Sequence, residues 1–357
     1  MTAARPDWLP ALRRAFGESV RVDETRATRM TGDASTRTYW RVGLAGAPVE
    51  TVVVMQLPDD YLKSDEASSS RPTELPFLNV QRHLAARGVP VVAVLAHDLE
   101  RRVVVLEDLG DETFFARLER LDAPARRTLY ERAVDLLAEL HRRTEPAAEG
   151  FLAHTRSFDR ALLRWELDHF REWGLEALHG PLETAARAEM DAAFDALADR
   201  LAAAPTQVAH RDYQSRNLMV RADGSLVVID FQDALVGPMP YDLVALLCDS
   251  YVELDLDLQR HLIARYVAVR QPAALDLAAF EELFWLQALQ RKLKDAGRFV
   301  YIDRVRRNPS FLQWFPRSIG YVARALEQVA HTEPALHALL PRLVPGWPRP
   351  AVPDPTS

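Results

Sequence analysis

The sequence predicts an α+β protein of two lobes, in which a small antiparallel sheet precedes a larger and mostly helical part. Three observations support this prediction: short strand-like runs dominate the chain up to residue 106, helical periodicity dominates it afterwards, and one β-hairpin interrupts the helical part. Strands followed by helices are typical of α+β proteins, whereas α/β proteins alternate the two. We therefore expect a first lobe over residues 1–106, a second over residues 107–343 and a Pro-rich tail over residues 344–357.

The elements of the first lobe follow from the spacing of its apolar residues. Leu9, Leu12 and Phe16 recur at helical intervals, so residues 8–16 are predicted to be a helix. Runs rich in β-branched residues predict strands, and a helical face that ends at Gly88 predicts a second helix. The predicted strands are residues 39–44, 51–57, 89–95 and 103–106, and the predicted helix is residues 77–87.

The second lobe consists of long runs with helical periodicity. Asp122 before Pro124 marks the start of the first of these runs. The predicted helices are residues 125–143, 158–178, 184–203, 240–250, 257–270, 277–297 and 317–330. The single cysteine, Cys248, lies in an apolar run and is expected to be a buried thiol rather than a reactive one.

The hairpin is predicted from two apolar runs, residues 218–220 and 226–229, that flank an Asp-Gly turn at residues 223–224. Such a pattern is typical of two antiparallel strands joined by a tight turn. Because a hairpin folds back on itself, Asn217 at its entry and Asp230 at its exit are expected to lie close together.

The residues before the hairpin complete a catalytic pattern. Residues 210–212 are His-Arg-Asp, Asn217 follows Asp212 by five residues, and Asp230 follows Asn217 by thirteen. Protein-kinase-like phosphotransferases use one Asp to accept the proton of the attacking hydroxyl, and an Asn and a second Asp to hold magnesium ions on the nucleotide phosphates. A charged loop before an ordinary hairpin is the alternative, but it does not account for all these matches together. The pattern predicts a protein-kinase-like bilobal fold that uses ATP and Mg²⁺.

Residues 31–36 of the first lobe, Thr-Gly-Asp-Ala-Ser-Thr, form a candidate phosphate-binding turn. Gly32 allows backbone N–H groups to approach a phosphate closely, and the hydroxyls of Ser35 and Thr36 can also donate to it. A plain polar hairpin is the alternative interpretation of this segment.

The lysine that usually binds the nucleotide phosphates from the third strand is missing. Met55 and Gln56 occupy the expected position, and Asn79 lies where the following helix would carry the paired glutamate. Another cation must then neutralise the phosphate charge. Arg37 is favoured because it adjoins the turn, and the alternatives are Arg41 and Lys63.

The segment 105–110 follows a strand and precedes the helical part, which is where an interlobe hinge is expected. Backbone groups from Glu107 to Leu109 are predicted to pair with the edge of adenine.

Residues 210–219 resemble the catalytic loop of the aminoglycoside phosphotransferase-like superfamily. Further segments are similar to the bacterial cell-wall sugar kinases, which phosphorylate the anomeric hydroxyl of N-acetylmuramate and N-acetylglucosamine in peptidoglycan recycling. These segments are residues 32–35, 107–110, 229–234, 237–238, 241–243, 290–293 and 297–299. The resemblance extends over about residues 30–300 and implies an ATP-dependent sugar 1-kinase. That family also lacks the usual strand lysine.

The resemblance implies a role for each matching residue. Asp212 becomes the general base, and Asn217 and Asp230 become the magnesium ligands. Asp233 would face the acceptor sugar or the surroundings of the metal, with an ordinary turn or capping aspartate as the alternative.

Four further residues are expected near the same site. His210 is expected to support the loop through hydrogen bonds, and Asp242 to anchor it. Arg216 and Arg291 are candidates for binding the lactyl carboxylate of N-acetylmuramate, and ordinary solvated arginines are the alternative.

Two other functions stay open. An aminoglycoside or another small amino alcohol could be the acceptor, because polycationic drugs need acidic pockets. The acidic residues that suggest such a pocket are Asp249, Glu253, Asp255 and Asp257. A solvated helix face would explain them equally well. A non-catalytic nucleotide-binding module is suggested by the missing lysine, but Asp212, Asn217 and Asp230 together argue against it.

The composition narrows the class of partner. A net charge of -7 argues against nucleic acid or an anionic membrane as a partner. The N-terminus has no apolar stretch of signal-peptide length, and the chain has no apolar run of about 18 residues. We therefore expect a cytoplasmic enzyme that acts on a small-molecule substrate.

Overall fold

The structure, a computed structural model, describes residues 7–30, 37–61, 74–272 and 275–348. These residues form two compact units. The first unit contains the described residues up to Arg117 together with the segment Asn217–Asp233. The second unit contains Leu118–Arg216 and the described residues from Ala234 onward. The boundary predicted at residue 106 differs from this division, because it assigns the hairpin segment to the second lobe.

The first unit is built on a five-stranded antiparallel sheet with the strand order β1-β2-β3-β5-β4. Its helices and strands are α1 (Leu9–Phe16), β1 (Arg21–Arg29), β2 (Thr38–Ala45), β3 (Thr51–Gln56), α2 (Pro76–Ala86), β4 (Val94–Asp98) and β5 (Val103–Glu107). The predicted α1, β2, β3, α2 and β5 agree with these bounds to within a residue or two. The small antiparallel sheet predicted for this part of the chain is therefore confirmed.

The core of this unit explains why the sheet forms. Val52 and Val54 of β3 and Val103 and Val105 of β5 are buried in one cluster with Leu12 of α1. Removing an aliphatic side chain of this size from water stabilises a fold by about 1.5–3 kcal/mol. The alternation of buried and partly exposed residues along β3 follows from the two-residue period of a strand.

The hairpin predicted from the sequence is confirmed. Strands β7 (Leu218–Val220) and β8 (Leu226–Val228) pair in register, and the backbone N–H of Ile229 donates to the carbonyl of Asn217 at 3.1 Å. The hairpin packs within the first unit, since Val228 donates its N–H to the carbonyl of Pro90 at 2.8 Å. The predicted strand over residues 89–95 is wrong before Val94, where β4 begins: Val91 bridges to Val228 of β8 and the carbonyl of Pro90 accepts from the N–H of Val228.

The second unit is mostly helical, as predicted. It contains a short antiparallel pair of strands, β6 (Thr206–Ala209) and β9 (Leu235–Pro238). The short helix α3 (Phe114–Leu118) spans the boundary between the two units. The helices that follow it are α4 (Ala123–Thr144), α5 (Arg160–His169), a π-helical segment (Phe170–Glu176), α6 (Ala177–His179), α7 (Thr184–Ala202), α8 (Tyr241–Leu247), α9 (Leu256–Arg270), α10 (Leu277–Arg306), α11 (Phe315–Gln328) and α12 (Pro334–Leu343).

Helix α10 is the central element of this unit, with 30 residues and a long buried face. It packs against α5, the π-helical segment, α8 and α11. The sequence predicted its start but ended it at residue 297, nine residues before the observed end at Arg306. Asp276 caps the helix by accepting a hydrogen bond from the N–H of Ala279 at 2.9 Å. Across the described part of the chain, no helix combines the length and apolar character needed to cross a bilayer.

Candidate active site

The loop that follows β6 is held by one buried carboxylate. Both oxygens of Asp242 accept backbone hydrogen bonds, from the N–H of His210 at 2.6 Å and from the N–H of Arg211 at 2.9 Å. Arg211 has a φ of 79°, a left-handed conformation that is costly for a residue other than glycine. Two charge-assisted hydrogen bonds around this residue offset that cost. The predicted role of Asp242 as the loop's anchor is confirmed.

Asp242 is in turn oriented by a buried histidine. Nε2 of His141 lies 3.1 Å from Asp242, and Nδ1 lies 2.7 Å from the hydroxyl of Tyr266. Burial lowers the pKa of His141, although the hydrogen bond to Asp242 opposes this effect. A neutral imidazole that donates from Nε2 satisfies these contacts. His210 supports the same loop, as predicted, because its Nδ1 accepts a hydrogen bond from the N–H of Asp212 at 3.2 Å.

Asp212 itself is accessible, with 43% of its side chain exposed. One oxygen lies 3.2 Å from Nη2 of Arg291. Burial opposes ionisation of this carboxyl, but the charges of Arg291 and Lys294 outweigh it and hold the pKa of Asp212 below its usual value. Asp212 is therefore a carboxylate at neutral pH, and it can accept a proton.

Arg291 is buried beside the loop that it orients. Only 3% of its side chain is exposed, so the solvated alternative is wrong. Its guanidinium donates to the carbonyl of Arg211 at 2.7 Å as well as to Asp212, and it lies 4.8 Å from the centre of the Tyr241 ring. These contacts make Arg291 a positioning residue for Asp212, and its proposed contact with a lactyl carboxylate stays a prediction.

A second buried carboxylate, which the sequence did not identify as an anchor, fixes the loop further along. Asp249 accepts hydrogen bonds from the N–H of Ser215 at 2.9 Å and from its hydroxyl. Asp255 caps α9 through the N–H of Leu258 at 2.7 Å. Two of the four acidic residues that suggested an aminoglycoside pocket thus have structural roles. A sequence motif does not reveal the pairing of Ser215 with Asp249, because these residues are 34 positions apart in the chain.

Arg216 lies near the end of the same loop. Its guanidinium carbon is 3.7 Å from the centre of the Tyr251 ring and 5.9 Å from that of Trp314. The guanidinium is therefore engaged by aromatic faces, and its contact with a substrate stays a prediction.

The first unit carries the predicted metal ligands. Asn217 enters the hairpin and Asp230 leaves it, and the hydrogen bond between Ile229 and Asn217 closes the hairpin between them. Asp230 is exposed and has a φ of 63°. The amide of Gln232, which the sequence did not single out, donates to Asp230 at 2.9 Å and to Asp233 at 3.0 Å. Asp233 lies in a turn and begins no helix, so its proposed contact with the acceptor stays a prediction.

These donors fit magnesium in their chemistry. Asn217 offers an amide oxygen and Asp230 a carboxylate, and hard divalent cations prefer such oxygen ligands. Gln232 fixes one oxygen of Asp230 and thereby orients the carboxylate. Two protein oxygens suit Mg²⁺, which usually completes its coordination with water and nucleotide phosphates.

Arg37 directly precedes β2 in the first unit. Its side chain hydrogen-bonds to Tyr39 of β2, and the charges of both Arg37 and Asp230 act on the Tyr39 hydroxyl. Burial raises the pKa of Tyr39, and the negative charge of Asp230 adds to that rise while Arg37 opposes it. Arg37 and Asp230 thus both act on Tyr39, and the assignment of Arg37 to the nucleotide phosphates stays a prediction.

Of the two alternative cations, Arg41 is already paired with carboxylates. Arg41 makes a bidentate ion pair with Asp108 at 2.8 and 3.0 Å and contacts Asp111, so its charge is already compensated. Lys63 lies outside the described residues, and so do Gly32, Ser35 and Thr36 of the predicted phosphate-binding turn.

The strand position of the missing lysine is occupied as the sequence indicated. Met55 is buried, and Gln56 donates to the carbonyl of Arg101 at 3.2 Å. Asn79 of α2 is buried and donates to Glu74 at 2.8 Å. No lysine–glutamate pair is formed by these residues.

In the segment predicted to bind adenine, the backbone N–H of Glu107 already has a partner within the protein. The backbone N–H of Glu107 donates to the carbonyl of Ala93 at 3.0 Å, and its carboxylate accepts from the N–H of Ala93 and from Arg221. Glu107 therefore stabilises the strand end, and its N–H is not free for a nucleotide. The backbone of Leu109 remains the predicted partner of adenine.

Sequence comparison finds related proteins over most of the chain. Residues 26–283 match the phosphotransferase enzyme family. An N-acetylmuramate/N-acetylglucosamine kinase of Neisseria meningitidis serogroup B is 33% identical over 318 residues, which cover 87% of this chain and 89% of the relative. A protein of the same name from Pseudomonas putida is 32% identical over 313 residues and covers 86% and 85% of the two chains.

Solved structures share the fold. A putative aminoglycoside phosphotransferase from Ralstonia eutropha superimposes with a TM-score of 0.59 at 14% identity over 90% of this chain and 96% of its own. A choline kinase from Cryptosporidium parvum gives the same TM-score of 0.59 at 11% identity over 90% and 94%. The predicted fold class is confirmed by these neighbours, and the protein belongs to the phosphotransferase enzyme family.

Proposed function

We propose that the protein is an ATP-dependent kinase that phosphorylates the anomeric hydroxyl of an N-acetylated amino sugar, N-acetylmuramate or N-acetylglucosamine. The observation that carries the proposal is the pair of relatives with that name, which are 33% and 32% identical and match nearly the full chain. An ionised and accessible Asp212 in the matching loop supports it. As part of the same proposal, the reaction serves peptidoglycan recycling in the cytoplasm, where ATP is available as the donor.

In this proposal, Asp212 acts as the general base. The proton of the sugar hydroxyl moves to Oδ2 of Asp212 as the hydroxyl oxygen forms its bond to the γ-phosphorus and the bond to ADP breaks. A hemiacetal hydroxyl is more acidic than an ordinary alcohol, so a carboxylate with a lowered pKa is a sufficient base. Arg291 donates to Oδ1 and thereby orients the carboxylate.

The nucleotide end of the reaction is assigned to residues of the first unit. Asn217 and Asp230 would hold Mg²⁺, which neutralises phosphate charge when it is bound. Arg37 takes over the role of the missing lysine, and the Leu109 backbone pairs with adenine. Most of the rate should come from positioning and from charge neutralisation at the transferred phosphoryl group.

The product decides between this function and its alternative. The full-length protein is incubated with ATP and Mg²⁺ and, in parallel, with N-acetylmuramate, N-acetylglucosamine or kanamycin, and the product is examined by phosphorus NMR. We expect a phosphate ester coupled to the anomeric proton with at least one sugar and no product with kanamycin. A kanamycin phosphate as the only product would establish the aminoglycoside alternative, and coupling to another sugar proton would refute the anomeric assignment.

A further inference from the structure

An aromatic cluster lies on the second unit, on α5, the π-helical segment and α10. His169 is at its centre: its ring lies 5.5 Å from that of Trp165, 6.3 Å from that of Trp173 and 5.2 Å from that of Tyr301. The rings of Trp173 and Tyr301 also meet edge to face at 5.2 Å. We call these four residues the aromatic cluster.

The local backbone brings the cluster together. The chain widens into a π-helix from Phe170 to Glu176, and π-helical turns occur frequently at functional sites. Gly297 of α10 faces the start of this segment, where an added Cβ atom would lie 2.6 Å from the carbonyl oxygen of His169. Glycine is therefore required for α10 to approach α5 closely enough for Tyr301 to reach the ring of His169.

The cluster is not an ordinary piece of core. Trp165 is 46% exposed, which is unusual for the largest apolar side chain. Nε2 of His169 is buried without a hydrogen-bond partner among the described residues. Burial, with the charges of Arg298 and Lys294 nearby, lowers the pKa of His169 to about 4, so the ring is neutral at physiological pH. An exposed tryptophan beside an unsatisfied imidazole indicates a surface that binds something polar with an apolar face.

A row of cations connects the cluster to Asp212. Arg291, Lys294 and Arg298 follow one another at intervals of three and four residues, so they lie on one face of α10. Arg291 contacts Asp212, and the guanidinium carbon of Arg298 lies 5.0 Å from the centre of the Tyr301 ring. The helix rises by about 1.5 Å per residue, which separates Arg291 from Arg298 by about 10 Å along the axis. One sugar ring with a substituent is of comparable length.

We propose that the aromatic cluster and Arg298 form the subsite that holds the acceptor sugar, with the rings against the apolar face of the pyranose and Arg298 paired with the carboxylate of an acidic sugar. The inference rests on the proposed function and deepens it, because it makes N-acetylmuramate the preferred acceptor. N-acetylglucosamine has the same ring without the lactyl carboxylate. A guanidinium recognises a carboxylate through paired N–H donors as well as through its charge.

The test compares the two sugars in one variant. In Arg298→Gln at saturating ATP, the KM for N-acetylmuramate should rise by about tenfold or more, the usual effect of losing a charged partner. The KM for N-acetylglucosamine should change by less than about threefold, since neutral sugars do not use the charge. Arg298→Lys should recover part of the loss. Arg304→Gln, an exposed arginine on the same helix, is the matched control and should leave both constants unchanged.

A second measurement reports on the rings without turnover. Binding of N-acetylmuramate should change the intrinsic tryptophan fluorescence, and the change should shrink in Trp165→Phe while the control Trp8→Phe, a tryptophan of the first unit, preserves it. Three outcomes would overturn the subsite. In Arg298→Gln, the KM could rise equally for both sugars or for neither. The fluorescence change could also be unaffected by Trp165→Phe. Those outcomes leave the proposed function intact if the unaltered protein phosphorylates both sugars. Failure of the unaltered protein to phosphorylate either sugar would overturn both.

Discussion

Turnover should depend most on Asp212, because it is the accessible carboxylate of the loop to which we assign catalysis. Asp212→Asn keeps the shape of the side chain and removes its ability to accept a proton. We expect kcat to fall by about 10²–10⁴-fold, the usual contribution of a general base. Nucleotide binding, measured by calorimetry, should be retained. Turnover close to that of the unaltered protein would refute the assignment.

Arg291 should affect the same step through the pKa of Asp212. Its positive charge favours the ionised carboxylate, so Arg291→Met should raise the pKa of Asp212. A base must be ionised to act, and the acid limb of the kcat–pH profile should therefore move to higher pH. Arg291→Lys retains the charge and should move it less. If both variants lose activity without a change in the profile, Arg291 has only a structural role.

Arg37 is the residue expected to replace the strand lysine. Arg37→Met keeps much of the stem and removes the charge, so the KM for ATP should rise by about tenfold, with a smaller effect on the sugar. Arg21→Met, at an exposed position at the start of β1, is the control. Gln56→Lys places a cation at the usual strand position and should restore part of the loss in Arg37→Met. Unaltered ATP kinetics in Arg37→Met would redirect attention to Lys63.

At the scale of elements, the burial of His169 between α5 and α10 should make the free energy of unfolding depend on pH. The pKa of His169 is lowered to about 4 in the folded protein, below the usual value of 6.5 that applies when the chain is unfolded. The unfolded chain therefore binds more protons between these values, and the free energy of unfolding should fall as the pH falls from 6.5 through 4.

His169→Phe should reduce this dependence, because phenylalanine keeps a ring and does not titrate. The measurement is the urea midpoint at pH 7 and at pH 5. We expect the drop between the two to be smaller in His169→Phe than in the unaltered protein. His179→Phe, which changes an exposed histidine of α6, should leave the drop unchanged. An equal drop in both variants would show that His169 is not a source of the acid sensitivity.

The elements that the sequence predicted well are those with local causes. The hairpin follows from two apolar runs and an Asp-Gly turn, and α2 and α4 follow from helical spacing and a cap. Strand β1 was not predicted as an element, because its exposed polar residues give a weak apolar pattern. The π-helical segment replaced the second half of a predicted helix, and its start contacts Gly297, which is too distant in the chain for a local pattern to specify the contact.

The candidate site divides in the same way. Asp212, Asn217 and Asp230 could be named from spacing, because catalytic loops repeat a fixed local order. The hydrogen bond between Ser215 and Asp249 joins residues 34 positions apart, and the ion pair of Arg291 with Asp212 joins residues 79 positions apart. No local pattern specifies either contact. Gln232 was adjacent to a named residue, yet its role depends on where its amide points.

At the scale of the whole molecule, the groups assigned to the reaction are distributed over both compact units. The predicted magnesium ligands and Arg37 belong to the first, and Asp212 with the cations of α10 belongs to the second. Mg²⁺ with nucleotide and the sugar should therefore have separable effects on the free energy of unfolding. A nucleotide that binds only the folded state raises the free energy of unfolding by about 2.7 kcal/mol when its concentration is 100 times its Kd.

Asp230→Ala tests whether the first unit binds Mg²⁺ through the predicted ligand. In the unaltered protein, Mg²⁺ with ATP should raise the melting temperature more than ATP alone, because the metal joins the nucleotide to a hard oxygen ligand. Asp230→Ala deletes that ligand, so the magnesium-dependent part of the rise should be lost and the metal-free part retained. Asp223→Asn is the control on the same hairpin, since asparagine keeps the oxygen that accepts from Ser225. An unchanged magnesium-dependent rise in Asp230→Ala would place the metal on other residues and remove the assignment of Asp230.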